Sequence, residues 1–128
     1  MSRRGHERAG RLAELAAAWL LRLKGFRILA RRYATPVGEI DLVAARGSLV
    51  VFVEVKRRAL RDVAVAATAP RQRRRIERAA AAFLQRHPAL RAAQCRFDVV
   101  AVAPARWPLH VADAWRMTAD ERAGPRRG

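Results

Sequence analysis

The chain has one cysteine, Cys95, in 128 residues, so no intramolecular disulfide can brace it, and a reducing compartment is compatible. Its three histidines, His6, His87 and His110, are scattered and lack cysteine partners, which gives no support to a zinc site. No apolar run approaches the roughly 20 residues needed to cross a bilayer. Met1 to Arg11 also lacks the continuous apolar stretch of a secretory signal. The expectation is a soluble, cytoplasmic protein. Acids are few: 11 Asp and Glu stand against 27 Lys and Arg, for a formal net charge of +16. A surface so charged repels itself unless a polyanion relieves it, so nucleic acid or an anionic membrane is the expected neighbour. The basic residues are spread along the chain rather than set beside one apolar helix, which argues against a membrane anchor. A hydrophobic fraction of 52% favours a folded protein, and the length suits one domain.

Periodicity divides the chain into a short basic lead (1–7), one domain (8–115) and a polar tail (116–128), with both ends expected to be flexible. Leu12, Leu15, Ala16, Trp19, Leu20 and Leu23 recur at helical spacing between about His6 and Lys24, with Gly25 as a C-terminal stop. Phe26–Tyr33 reads as a strand, followed by a turn at Thr35-Pro36-Val37-Gly38. Strands over 39–45 and 49–57 are joined by the hairpin connection Arg46-Gly47-Ser48. Residues 58–69 carry no clean period and read as a mobile loop. Pro70 opens a second helix whose buried stripe is Ile76, Ala79, Ala80, Phe83 and Leu84, and His87-Pro88 closes it. Strands at 96–103 and 109–115 complete the order α-β-β-β-α-β-β, an α/β layer with a mixed sheet of about five strands flanked by helices.

The chemistry gathers at Gly38-Glu39-Ile40-Asp41 and Glu54-Val55-Lys56. Glu54 and Lys56 are two apart on an apolar strand, so their side chains leave the same face. Asp41 lies on the preceding strand of the hairpin, within reach. A hard cation such as Mg²⁺ or Mn²⁺ takes carboxylate, carbonyl and water oxygens. Asp41, Glu54 and the backbone carbonyl of Val55 are the candidate ligands. Lys56 would orient an attacking water or stabilise an anionic phosphorus centre. It is one of two lysines in a chain otherwise basic through arginine, which suggests that a compact ammonium is wanted there. Arg57 and Arg58, with Arg71, Gln72, Arg74, Arg75 and Arg78 of the second helix, form the candidate nucleic-acid-binding set.

These motifs resemble the PD-(D/E)XK nuclease superfamily. Within it, the chain looks like the YraN family of small bacterial proteins related in fold to archaeal Holliday-junction resolvases. The resemblance spans roughly residues 8–115. It is carried by Glu14 with Ala17 and Leu20-Leu21, Gly25-Phe26-Arg27-Ile28-Leu29, Gly38-Glu39-Ile40-Asp41-Leu42-Val43 and Val51-Phe52-Val53-Glu54-Val55-Lys56-Arg57-Arg58. Arg75-Ile76, Arg96-Phe97-Asp98-Val99-Val100 and His110-Val111-Ala112-Asp113-Ala114-Trp115 complete it. It implies a restriction-endonuclease-like three-layer fold and a metal-dependent endonuclease site at Asp41, Glu54 and Lys56. Glu14 joins that site as related resolvases use a first-helix glutamate. It further implies DNA, branched or irregular, as substrate, and a homodimer. Three positions depart from the pattern: Ile40 stands for the superfamily's proline, Ala13 for a glycine, and Gln72 for a lysine that Arg71, Arg73, Arg74 and Arg75 surround.

Plainer readings exist for each residue. Asp41 and Glu54 could be a turn acid and a strand-end acid paired with Lys56. Glu14 lies off the Leu12–Trp19–Leu23 stripe and reads as solvated by periodicity alone. Beside it, however, Gly10, Ala13, Ala17 and Leu21 form a small-residue face suited to close approach to a sheet. Trp19 and Phe83 are core by spacing, and Asp98 is structural. Trp107 and Trp115 are strand-end packing or base-stacking residues. The alternative to catalysis is a nucleic-acid-binding module that keeps the fold without turnover.

Overall fold

The computed structural model describes residues 3–57 and 68–117. The expected element order is present: α1 (Arg3–Leu23), β1 (Arg27–Thr35), β2 (Gly38–Arg46), β3 (Leu49–Arg57), α2 (Pro70–Arg86), a 3₁₀ turn (Pro88–Leu90), β4 (Gln94–Val102) and β5 (Leu109–Trp115). α1 begins at Arg3, inside the segment read as the lead, and β4 starts two residues before its expected position. The expected loop at 58–69 and tail at 116–128 fall mostly outside the described residues.

The five strands form one sheet in the order β1-β2-β3-β4-β5. Pairing is antiparallel except between β3 and β4. A parallel pair cannot be closed by a tight turn, and the crossover between these two strands carries α2. α1 covers one face of the sheet, packing Ala17, Leu20 and Leu21, with Phe26 just beyond its end, onto Leu42, Ala44, Val51, Val53 and Val100. α2 covers the other, packing Ile76, Ala79, Ala80 and Phe83 onto Ile40, Val43, Val50, Phe52, Phe97 and Val99. Both sheet faces are therefore buried, which is why β3 reads as an unbroken apolar run rather than an alternating one. The result is the three-layer α/β arrangement expected from the sequence.

α1 ends as Gly25 allows. With φ at 90°, its N–H reaches the Arg22 carbonyl, while the Phe26 N–H reaches the Leu21 carbonyl. This six-to-one closure turns the chain and drops Phe26 into the α1-side core.

Trp19 corrects the reading. It is 61% exposed, as is Leu12, and Leu15 and Leu23 are exposed too, so most of the stripe taken as core faces outward and only its Leu20 is fully buried. With Leu20, the buried face of the helix is made by Ala13, Ala17, Ala18 and Leu21. The helix has two apolar faces, and the one built of small side chains lets its backbone approach the sheet. Volume rather than hydropathy decided the choice. Trp115 is buried and stacked on Phe97, 5.1 Å between ring centroids, so it packs the core, while Trp107 is exposed.

Candidate functional site

β2 and β3 pair from Arg46↔Leu49 up to Leu42↔Val53 and no further. Where the ladder stops, the Asp41 carboxylate takes over: the Val55 N–H donates to Asp41 Oδ2 at 2.8 Å. A side-chain oxygen thus replaces a backbone carbonyl, and Asp41 is fixed beside the Glu54-Val55-Lys56 segment. Burial pushes the Asp41 carboxyl up to about 6. The Val55 hydrogen bond opposes that rise, while the charges of Glu14, Glu54 and Glu39 add to it. The two strands therefore do bring Asp41 and Glu54 to one end of the sheet, and the first-helix glutamate lies in the same field.

Alternation along β3 sets Glu54 and Lys56 on the face that carries Val50 and Phe52, the α2 side. There the Thr68 hydroxyl donates to Glu54 Oε2 at 2.5 Å, and Arg73 Nε donates to the Thr68 carbonyl at 2.6 Å. Both Glu54 and Lys56 are partly buried, and Arg57 is exposed at the strand end. Glu14 comes from α1 on the margin of its small-residue face. Its side chain is 14% exposed and receives Arg32 Nε at 2.7 and 3.0 Å on its two oxygens. Arg32 lies on β1, in the interval between the pairs Arg31↔Leu42 and Tyr33↔Ile40, and so opposite Asp41.

The donor chemistry suits a hard divalent cation: carboxylate oxygens, with Asp41 crowded by the like charges of Glu14, Glu54 and Glu39. Yet among the described residues no three acidic, histidine or cysteine side chains stand close enough to hold a metal ion as placed. Glu14 is held by Arg32 and Glu54 by Thr68. Closing these oxygens on a cation requires Glu14 to leave its arginine.

α2 enters directly beside the cluster. A Cβ at Gly38 would lie 2.2 Å from the Arg75 carbonyl oxygen, so the β1–β2 turn is pressed against the helix backbone, a contact that glycine alone permits. Arg71, Arg74, Arg75 and Arg78 are exposed on this helix and Gln72 is half-buried. Arg58 lies outside the described residues.

A family model described as "Uncharacterised protein family UPF0102" matches residues 13–102. The chain belongs to the UPF0102 (YraN) family. It is 56% identical over 109 residues to a UPF0102 protein of Parvibaculum lavamentivorans, covering 85% of this chain and 82% of the relative. It is 55% identical over 115 residues to one of Paramagnetospirillum magneticum, at 87% and 89% coverage, and 50% identical over 111 residues to one of Chelativorans, at 87% and 90%. The span matched by the family model takes in Glu14, Arg32, Asp41, Glu54, Lys56 and the α2 arginines, and stops before β5.

Two residues of the site escaped the sequence, and the partners of a third residue, Asp98, did too. Arg32 was one arginine among many, and its backbone φ of 51° is a conformation that no residue type announces. Thr68 sat in a segment read as loop. Asp98, read as structural, is a wholly buried carboxylate in mid-β4. It accepts Arg96 Nε and a second guanidinium nitrogen at 2.8 Å, His110 Nε2 at 2.7 Å and the Asp113 N–H at 2.9 Å. Burial alone would raise this carboxyl, but the hydrogen bonds from His110, Arg96 and Asp113 outweigh it and hold the group at about 2. His110 Nδ1 in turn lies 2.9 Å from Lys24 Nζ. The network ties the edge strand β5 to β4 and to the end of α1, so its reading as structural stands. Among the described residues no helix is long and apolar enough to cross a membrane.

Proposed function

We propose that this protein is a Mg²⁺- or Mn²⁺-dependent endonuclease of the PD-(D/E)XK type, acting in the cytoplasm on DNA, with branched or irregular structures as the expected substrates. The observation that carries this reading is Asp41: a carboxylate fixed by the Val55 N–H at the end of a strand ladder, among the charges of Glu14, Glu39 and Glu54. Like charges set around a carboxylate whose ionisation burial already opposes are destabilising in themselves, and a bound cation is what would offset them.

Asp41, Glu54 and the Val55 carbonyl would hold the ion, with Glu14 as a further oxygen donor. When bound, the ion supplies hydroxide near neutral pH and withdraws charge from a phosphoryl oxygen. Lys56, on the face of Glu54, would orient the attacking water and offset charge on the phosphorus centre. Arg71, Arg74, Arg75 and Arg78, with Arg57 and Arg58, would take the flanking phosphates.

A panel of duplex, single-stranded, flap and four-way DNA plus structured RNA tests the proposal. Wild type is expected to cleave at least one DNA only with Mg²⁺ or Mn²⁺. D41N and E54Q are expected to bind it with little change and to leave it intact. Equal cleavage by all three preparations would remove this site from the reaction. The ties of Glu14 to Arg32 and of Glu54 to Thr68 favour the second reading, a binding module without turnover. Calorimetry separates the two: no Mn²⁺ heat with wild type supports the module.

A further inference from the structure

Arg32 is a feature of the carboxylate cluster that the cluster's proposed chemistry does not require. Its backbone occupies the left-handed region in the middle of a strand, a conformation that a side-chain-bearing residue rarely adopts. Its guanidinium spans both oxygens of Glu14, at 2.7 and 3.0 Å, and Glu14, Glu39 and Asp41 all favour its charged form. It delivers one positive charge where the cluster holds several negative ones. The side chain is 45% exposed, so it can leave without opening the core.

Resting on the metal-site reading above, we propose that Arg32 is the resident counter-ion of the cluster and competes with the divalent cation for Glu14. In the cation-free protein the guanidinium occupies Glu14 and damps the repulsion with Asp41. A cation that recruits Glu14 must displace it. Metal affinity is then set by an exchange of one cation for another, and Arg32 keeps Glu14 away from the site until an ion competes successfully. The side chain reaches from the edge strand β1 to Glu14 on α1, and it does so from a backbone held in the left-handed region.

Mn²⁺ calorimetry on the full chain tests the competition. R32Q is expected to bind Mn²⁺ about fivefold or more tightly than wild type. R31Q removes the same charge from the exposed neighbouring residue and is expected to stay within about twofold of wild type. R32K keeps the charge but loses the two-oxygen grip, and should fall between wild type and R32Q; it also serves if R32Q folds poorly. In an E14Q background, R32Q should tighten binding no further, since the contested carboxylate is gone. If wild type binds Mn²⁺, D41N does not, and R32Q is no tighter than R31Q, the competition is refuted while the metal site stands. If neither wild type nor R32Q binds Mn²⁺, the site reading fails and this inference goes with it.

Discussion

Asp41 should make the metal-free protein less stable at neutral pH than a variant that cannot ionise there. Its carboxyl stands at about 6 in the fold against an ordinary value of 3.8. A carboxyl harder to ionise folded than unfolded favours the native state while it is protonated. Stability is therefore lost as pH rises from about 4 through 6, and the loss is complete above that. The full shift corresponds to ~3 kcal/mol. Because Asp41 is only partly buried, solvent screening should bring this down to about 1–2 kcal/mol. Asn keeps an oxygen for the Val55 N–H, so D41N removes the charge with little loss of contact. For a domain of this size, at about 4 °C per kcal/mol, D41N should then melt roughly 4–8 °C above wild type at pH 8 in EDTA. The two curves should converge towards pH 4. Circular dichroism melts across this range measure both. A D41N protein less stable at pH 8, or an offset that does not change with pH, would refute the electrostatic account of the cluster. Saturating Mn²⁺ should then raise wild type alone.

Three further outcomes follow from the packing. D98N strips a buried charge from Arg96 and His110 and should cost about 3–5 kcal/mol, seen as a fall in the urea midpoint at neutral pH. G38A drives a methyl group to 2.2 Å from the Arg75 carbonyl oxygen, so α2 must shift; overpacking of this kind costs about 1–3 kcal/mol and should lower the melting temperature accordingly. Substituting Trp19 or Leu23 with glutamine should alter stability by no more than ~0.5 kcal/mol, against ~2–5 kcal/mol for Leu21→Ala on the buried face. Equal losses on the two faces of α1 would show that the outward stripe is covered in solution.

The strands and α2 were legible because each had a single reading. β3 is apolar throughout since both its faces are covered, and α2 has one apolar stripe, from Ile76 to Phe83, with arginines opposite. α1 has two stripes, and hydropathy prefers Leu12, Trp19 and Leu23 to Ala13, Ala17 and Leu21. The distance at which a helix can lie on a sheet is a property of the pair, which no single segment displays. The same limit explains the site. Asp41, Glu54 and Lys56 could be named from spacing on adjacent strands. Arg32 and Thr68 reach the cluster from an unusual backbone angle and a loop end. Asp98 could be identified as a lone acid in an apolar strand, but its partners His110 and Asp113 belong to β5 and become visible only when β5 is laid beside β4.

Topology then explains why the arginines stand where they do. A β3–α2–β4 crossover returns the chain antiparallel to the strands, so the first turns of α2 arrive at the end of β3 that carries Glu54 and Lys56. The Thr68 hydroxyl on Glu54 and Gly38 against Arg75 mark that meeting. Yet α2 begins badly as a helix. Ala69 gives no side-chain cap, the first turn has no acid, and Arg71, Arg73, Arg74 and Arg75 crowd an end whose exposed N–H groups already carry positive charge. Each such arginine opposes the helix dipole, by about 0.3–1 kcal/mol where exposed. An anion placed at that end attracts both the arginines and the N–H groups and so offsets these contributions. Under the proposed function a phosphate backbone crossing the carboxylate cluster is that anion, and the cost borne by the free helix becomes part of the affinity for substrate.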